Sequence, residues 1–312
     1  MRVILLGPQR RPTVDAVVRA LSLSGPGLSG PGLPGPVATV TAGWQEREPD
    51  DAELTAHVGG QAVNLALYRR WLDVQDRDPE YFAGARALAD VLAELREVYL
   101  LRLDYALRAV YALQRRPASG DGVRDAVAAV RELDTGHLRR VNGARLEFFD
   151  RLRPHDRPAI AAHRAEVADV LGQASALVVA GGHVGVLAEV LHLFNLAAVA
   201  RSPVIAWSAG AMALTDRIVL FHDRAPQGPG HPEVYGSGLS LLRDAVLLPH
   251  ARARLLLDDT PRMEVFARRF DPARCVLLEA GTRIDVSADG AWPAAGVRVL
   301  GEDGHVTARE AA

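Results

Sequence analysis

The stretch Ser202-Pro203-Val204-Ile205-Ala206-Trp207-Ser208-Ala209-Gly210-Ala211-Met212-Ala213-Leu214 decides how the rest of the chain is read. A short β-branched run, Val204-Ile205, heads into Ala206-Trp207-Ser208, and a helix-forming run of small residues follows at once. That is the plan of a nucleophile elbow, a sharp strand-to-helix turn that holds a serine hydroxyl at the exposed carboxyl end of a parallel strand. Strand and helix approach closely in such a turn, and Ala206, Ala209, Gly210 and Ala211 keep the approach free of bulk. Ala206 stands where G-x-S-x-G has its first glycine. A serine capping a tight helix start would use the same residues.

The totals narrow the setting. With 312 residues and 49% hydrophobic content, the chain can build one large α/β domain or a core domain carrying an insertion. A net charge of −2, with both signs interspersed, leaves no basic footprint for nucleic acid or an anionic membrane. The single cysteine, Cys275, excludes an internal disulfide framework and a multi-cysteine metal cluster, which fits a reducing cytoplasm. The apolar run at Arg2–Gly7 is too short for a signal peptide, and no uninterrupted apolar stretch of about twenty residues occurs. A soluble, cytoplasmic protein is expected.

Outward from the elbow the α/β pattern is clear. Arg2–Gly7 reads as a buried parallel strand with a helix over Thr13–Leu23 behind it. A glycine- and proline-rich stretch from Gly25 to Pro36 reads as a surface loop. A second strand, Val37–Thr41, enters the polar turn Ala42-Gly43-Trp44-Gln45-Glu46-Arg47-Glu48. In a parallel sheet this turn lies at the carboxyl edge, so Gln45, Glu46 and Arg47 are candidate site-lining residues, or a helix-entry loop with solvated charges. From Asp51 to Ala168 strand-like runs disappear, and Ala, Leu, Arg and Glu recur at helical spacing. Helices are expected over Tyr81–Arg115, Val123–Leu133, His137–Leu152 and Pro158–Gly172, separated at Pro117–Gly122. Their leucine and aromatic stripes are expected to pack internally, with a homodimer surface or a lid over the site as the other uses of such a face. His57, His137, His155 and His163 show no ligand-like pairing, and no metal site is expected.

The α/β pattern resumes with Ala176–Val179 and the paired glycines of Ala180-Gly181-Gly182-His183, whose backbone N–H groups could face a ligand or a developing oxyanion. After the elbow, Ile218–Phe221 leads to His222-Asp223-Arg224, and Leu239–Leu248 ends in Pro249-His250. Runs at Cys275–Leu278, Thr282–Val286 and Val297–Leu300 read as an antiparallel meander closing one sheet edge.

A serine hydroxyl needs a histidine to take its proton, and the histidine works best when a carboxylate orients it. The chain offers Ser208, Asp223 and His250 in that order. They lie within about 42 residues, too close for the α/β-hydrolase arrangement of the same order. His222 and His231 are rivals for the base, and Asp216 for the acid.

These residues resemble a known family. Ala180-Gly181-Gly182, Trp207-Ser208-Ala209-Gly210-Ala211 and Leu248-Pro249-His250 together look like the serine peptidases of the peptidase E (aspartyl dipeptidase) and cyanophycinase type. The resemblance covers residues 1–45 weakly and 170–300 well. It implies a flavodoxin-like three-layer parallel sheet, class I glutamine-amidotransferase-like, over 1–50 and 170–312, while the helical pattern of residues 51–169 reads as an insertion that the resemblance leaves unaccounted for. It also implies Ser208 as nucleophile, His250 as base, and Asp223 as the acid fifteen positions beyond the serine. The oxyanion hole would be built from the N–H groups of Gly181 or Gly182 and of Ala209. Glu279 resembles an acidic position of the family's late strand, and His183 and Trp207 flank the reacting group. His183-Val184 replaces the family's asparagine and threonine, which bears on substrate choice.

The expectation is a serine peptidase or hydrolase that cleaves a dipeptide, short peptide or related amide without a cofactor or metal. The alternatives are a catalytically silent binding or regulatory protein of the same fold and, because position 208 is serine rather than cysteine, with less support a glutamine amidotransferase.

Overall fold

A computed structural model describes residues 1–9, 35–58, 62–116, 120–224 and 230–308. The helix expected over 13–23 and the glycine- and proline-rich stretch up to residue 34 lie outside the described residues. The architecture is mixed α/β with several sheets. The chain divides into two compact units, one formed by residues 1–79, 154–214 and 278–293 and the other by residues 80–153, 215–277 and 294–312.

The first unit is built on a six-stranded sheet in the order β10-β1-β5-β4-β2-β3. Its strands are β1 (Val3–Leu6), β2 (Val37–Val40), β3 (Ala62–Asn64), β4 (Ala176–Val179), β5 (Val204–Trp207) and β10 (Arg283–Val286). All neighbours run parallel except β10, which pairs antiparallel with β1. The strands β1, β4 and β5 are short continuous apolar runs, and β2 is one broken only by Thr39, because both faces are covered, and every residue in them is buried. On one face Ile4, Leu6, Val178, Ile205 and Trp207 cluster with Leu54 and Val58, from and just beyond helix α1 (Ala52–His57). Helix α2 (Leu67–Arg77) packs on α5 (Pro158–Gln173) and α6 (Val184–Leu193), and the short helix α7 (Leu196–Val199) follows α6. Arg70 and Asp73 of α2 engage His163 of α5 at 2.9 and 2.7 Å, and Arg70 also pairs with Glu166.

The second unit contains two long helices, α3 (Pro79–Gln114, its first residue belonging to the first unit) and α4 (Gly120–Leu152). They run antiparallel, since Tyr81 meets Phe148 and Tyr99 stacks on His137 with ring centroids 4.0 Å apart. The expected break between Leu133 and His137 is absent. Asp134 is buried inside α4 and held by Arg269 at 2.7 Å, and Arg269 also donates to Tyr99 Oη and the Pro232 carbonyl. That tertiary pairing overrides the local helix-stopping signal of Asp134-Thr135-Gly136. Two small sheets complete this unit. One joins β6 (Ile218–Leu220) to β7 (Glu233–Gly236). The other has the order β12-β11-β9-β8, from β8 (Ala245–Pro249), β9 (Arg274–Leu278), β11 (Arg298–Leu300) and β12 (Val306–Ala308).

A further expectation is corrected. The C-terminal strands do not form one meander: β10 closes the edge of the parallel sheet, whereas β9 and β11 pair with each other elsewhere. Residues 51–79 and 154–169 belong with the parallel sheet, because α1, α2 and α5 bury apolar side chains there, and residues 215–277 belong with the long helices.

Candidate active site

In an open parallel sheet, ligands bind beyond the carboxyl ends of the strands, where successive connections leave in opposite directions. Here β2 connects outward to its neighbour β3, and β4 connects the other way to β5, so that point lies at the carboxyl ends of β2 and β4. The turns after β2, β4 and β5 therefore decide what the first unit can do.

The turn after β5 carries Ser208 at φ 50°, ψ −125°, and helix α8 (Ala209–Met212) follows directly. A β-carbon makes this a sparsely populated conformation, costing about 1–3 kcal/mol and persisting only where the surroundings enforce it. The enforcing contacts are tight. A Cβ on Gly210 would stand 2.4 Å from the Val179 carbonyl oxygen and 2.5 Å from that of Ala180, so α8 can lie against β4 only with glycine there. A Cβ on Gly181 would stand 2.9 Å from the Ser208 Cβ. Ser208 is partly exposed, and its side chain makes no helix-capping hydrogen bond, although it occupies the cap position.

The turn after β4 presents donors. Ala180 N–H goes to the Val40 carbonyl and His183 N–H to the Gly43 carbonyl at 2.7 Å, while Gly181 and Gly182 give theirs to no acceptor among the described residues. Gly182 has φ +128°, and a Cβ there would stand 2.3 Å from the Gly43 oxygen, which locks this turn to the one after β2. Ala209 opens α8 with a further N–H free of any helical partner. His183 is exposed, and its Nδ1 accepts the Val186 N–H at 3.1 Å, so the ring is fixed as the cap of α6 with Nε2 left over.

The turn after β2 holds Gln45 at φ 58°, ψ −124°, the same unusual backbone as Ser208. Buried Glu48 anchors it, accepting the N–H groups of Tyr68 and Arg69 at 2.9 Å each at the start of α2. Burial pushes the Glu48 carboxyl above its ordinary range despite those bonds. Glu46 accepts the Tyr68 hydroxyl at 2.8 Å, and a backbone hydrogen bond together with that hydroxyl lowers its pKa. Arg47 points to solvent, 81% exposed, beside Asp50. Trp207 is only 5% exposed and belongs to the apolar cluster on the sheet face, so its indole is committed to packing. At the end of β1, Gly7 lies against the Glu279 backbone, and Glu279 N–H is tied to Thr282 Oγ1 at 3.1 Å.

No family model matches this sequence, and no curated protein matches it. What the site residues can do rests on their own geometry.

The first unit thus gathers Gln45, Gly181, Gly182, His183, Ser208 and Ala209 on three adjoining turns. The second unit carries His250 and Asp223. His250 follows β8 in a left-handed conformation, φ 56°, and begins helix α9 (Ala251–Arg254). Asp223 is packed against that helix: its N–H donates to the Arg254 carbonyl at 2.7 Å, and its carboxylate accepts the Leu256 N–H at 3.1 Å. The same carboxylate takes a two-point contact from Arg262 of α10 (Thr260–Phe270), at 3.1 Å from Nε and 2.6 Å from Nη2. Nothing in the sequence signalled Arg262, which lies 39 positions away. Among the rival residues, His231 sits 3.4 Å from Asp104, His222 is exposed, and Asp216 N–H donates to the Leu242 carbonyl.

Proposed function

We propose that the protein is a serine hydrolase acting on a peptide or related amide, with Ser208 as nucleophile, on a flavodoxin-like, class I glutamine-amidotransferase-like sheet. The observation that carries this reading is the Ser208 backbone, strained at the carboxyl end of β5 with its Cβ close against Gly181. A helix cap needs no such strain, and Ser208 makes no capping bond. Strain of this kind is kept where a side chain must be presented to a reacting group.

In the proposed reaction Ser208 Oγ attacks the carbonyl carbon as its proton passes to a general base, the role that the resemblance gives to His250. The oxyanion that forms takes hydrogen bonds from Gly181 or Gly182 and from Ala209, donors held in place before reaction and therefore effective. The protonated base then gives its proton to the leaving amine as the C–N bond breaks, and water, deprotonated by the same base, attacks the acyl-serine and frees Ser208. Asp223 contributes by fixing the segment after His250, through its N–H on the Arg254 carbonyl and its carboxylate on the Leu256 N–H, a carboxylate that Arg262 also holds. Gln45 and His183 border the glycine turn and are assigned to substrate contact, while Glu46, Arg47 and Trp207 have the other engagements described above.

The decisive experiment is labelling with a fluorophosphonate, which reacts with activated serines, followed by peptide mapping. One adduct on Ser208, lost in His250→Ala, supports the reading, and the same two proteins screened against a dipeptide and short-peptide library give the substrate. An unlabelled Ser208 sinks it. The commitment of Asp223 to Arg262 favours a second reading, a binding protein of the same fold without catalysis. That reading expects no adduct but retained affinity for a peptide.

A further inference from the structure

The long helix α3 leaves an apolar stripe in solvent. Val91, Val98, Leu101 and Tyr105 are 46, 51, 62 and 66% exposed. Singly exposed apolar residues are ordinary, but these four share one helix face. The face runs Ala87, Val91, Glu94, Val98, Leu101, Tyr105, Arg108, Ala112, with alternating steps of four and three residues. That is the 3.5-residue repeat of a helix that packs along its length against another helix. Beside it, between α3 and α4, lies a cleft of about 310 Å³ lined by Val91, Leu95 and Val98 on one side and Leu133 and His137 on the other. Gly136 and Gly143 of α4 present bare backbone, with nothing within 4 Å of where a Cβ would stand.

We propose that this face receives a second copy of the chain, two α3–α4 pairs packing about a twofold axis near Leu101. The charges within the stripe select that occupant and its direction. Glu94 and Arg108 stand at equivalent positions of the repeat, each seven residues from Leu101 on opposite sides. A parallel pairing sets Glu94 on Glu94 and Arg108 on Arg108. An antiparallel pairing sets each Glu94 opposite the other copy's Arg108, twice per dimer, and places the two Leu101 side chains at the centre. The face is therefore complementary to itself, as a twofold interface must be. The cleft admits an aromatic ring such as Tyr105 of the other copy. This assignment does not depend on the reactivity of Ser208.

Sedimentation velocity of the full chain tests it. A single helix-pair interface is small, so the mass should rise from 33.5 kDa to twice that value between about 1 and 200 µM. Leu101→Glu should weaken the dimer at least about tenfold with circular dichroism unchanged, since the side chain is exposed. Glu94→Arg and Arg108→Glu should each weaken it, and the double variant should recover most of the loss. A monomer throughout the range, a dimer indifferent to Leu101→Glu, or a double variant no better than the singles would overturn the proposal.

Discussion

Replacing Ser208 with glycine should make the first unit more stable while removing its proposed chemistry. The residue stands at φ 50°, ψ −125°, where a β-carbon costs about 1–3 kcal/mol and glycine almost nothing. Against that gain, glycine loses about 0.5–1 kcal/mol more backbone entropy on folding. The net expectation is about 1 kcal/mol of stabilisation relative to Ser208→Ala, which removes the hydroxyl but keeps the strained Cβ. All four tryptophans, Trp44, Trp71, Trp207 and Trp292, fall in the first unit, so tryptophan fluorescence in a urea titration reports that unit. With a slope of about 1–3 kcal/mol per molar, the midpoint of Ser208→Gly should lie roughly 0.3–1 M above that of Ser208→Ala. Ala162→Gly, at an exposed site in α5, gives the opposite sign as a control, a loss of about 1 kcal/mol. A Ser208→Gly protein no more stable than Ser208→Ala would refute the claim that the elbow stores strain.

Gly210→Ala should destabilise the same unit by about 2–3 kcal/mol or prevent folding, because its Cβ would meet two backbone carbonyls at 2.4 and 2.5 Å that no rotamer change can move; the same titration checks it. Arg262→Met leaves the fully buried Asp223 carboxylate without its cation and should cost about 3–5 kcal/mol, with Asp223→Asn in the same chain recovering part; thermal melts of the three proteins give the comparison. Burial pushes the Cys275 thiol up to about 12, so Ellman's reagent should find no thiol in the native protein at neutral pH and one in denaturant. Burial also holds His137 and His231 below the ordinary histidine value of 6.5. The unfolded chain then takes up protons first as pH falls, so their contribution is full above about pH 6.5 and declines below it. Urea midpoints at about pH 7.5 and 5.5 should show this decline, reduced in His137→Gln.

What the sequence disclosed follows from where its signals are local. The strands β1, β2, β4 and β5 are largely apolar runs bounded by glycine, proline or polar turns, and all four lie where expected. The elbow was legible because small residues must surround a turn in which Gly210 touches the β4 carbonyls. Strand β3 was not, since Ala62-Val63-Asn64 is three partly exposed residues held by pairing with β2 and by Asn64 bonding to Thr41 and Asp51. The single helix α4 was divided wrongly because Asp134 reads as a terminator until Arg269, 135 positions on, is known to neutralise it. The strand-like run at 283–286 was visible, but its partner was not, because an edge strand pairs with whichever edge the fold leaves open. Asp223 was singled out as the acid of a triad, and Arg262, which claims its carboxylate, depends on a contact no local pattern encodes. Trp207 looked like a site residue by neighbourhood, yet strand alternation turns its side chain to the sheet face while Ser208 takes the edge.

The interleaving of the two units sets the order in which a ribosome can deliver them. The chain passes between units at residues 79, 153, 214, 277 and 293, so neither is a contiguous stretch. Strand β1 leaves the exit tunnel long before its neighbours β5 and β10, which follow roughly two hundred and two hundred and eighty residues later. Throughout most of translation, four buried-type residues with two open strand edges wait unpartnered, an invitation to aggregate. A truncation at residue 214 would contain every parallel strand of the first sheet and still leave β1 exposed on the side that β10 covers. Recombinant fragments cut at unit boundaries should accordingly be insoluble, and co-translational chaperone capture would be greatest before residue 286 emerges.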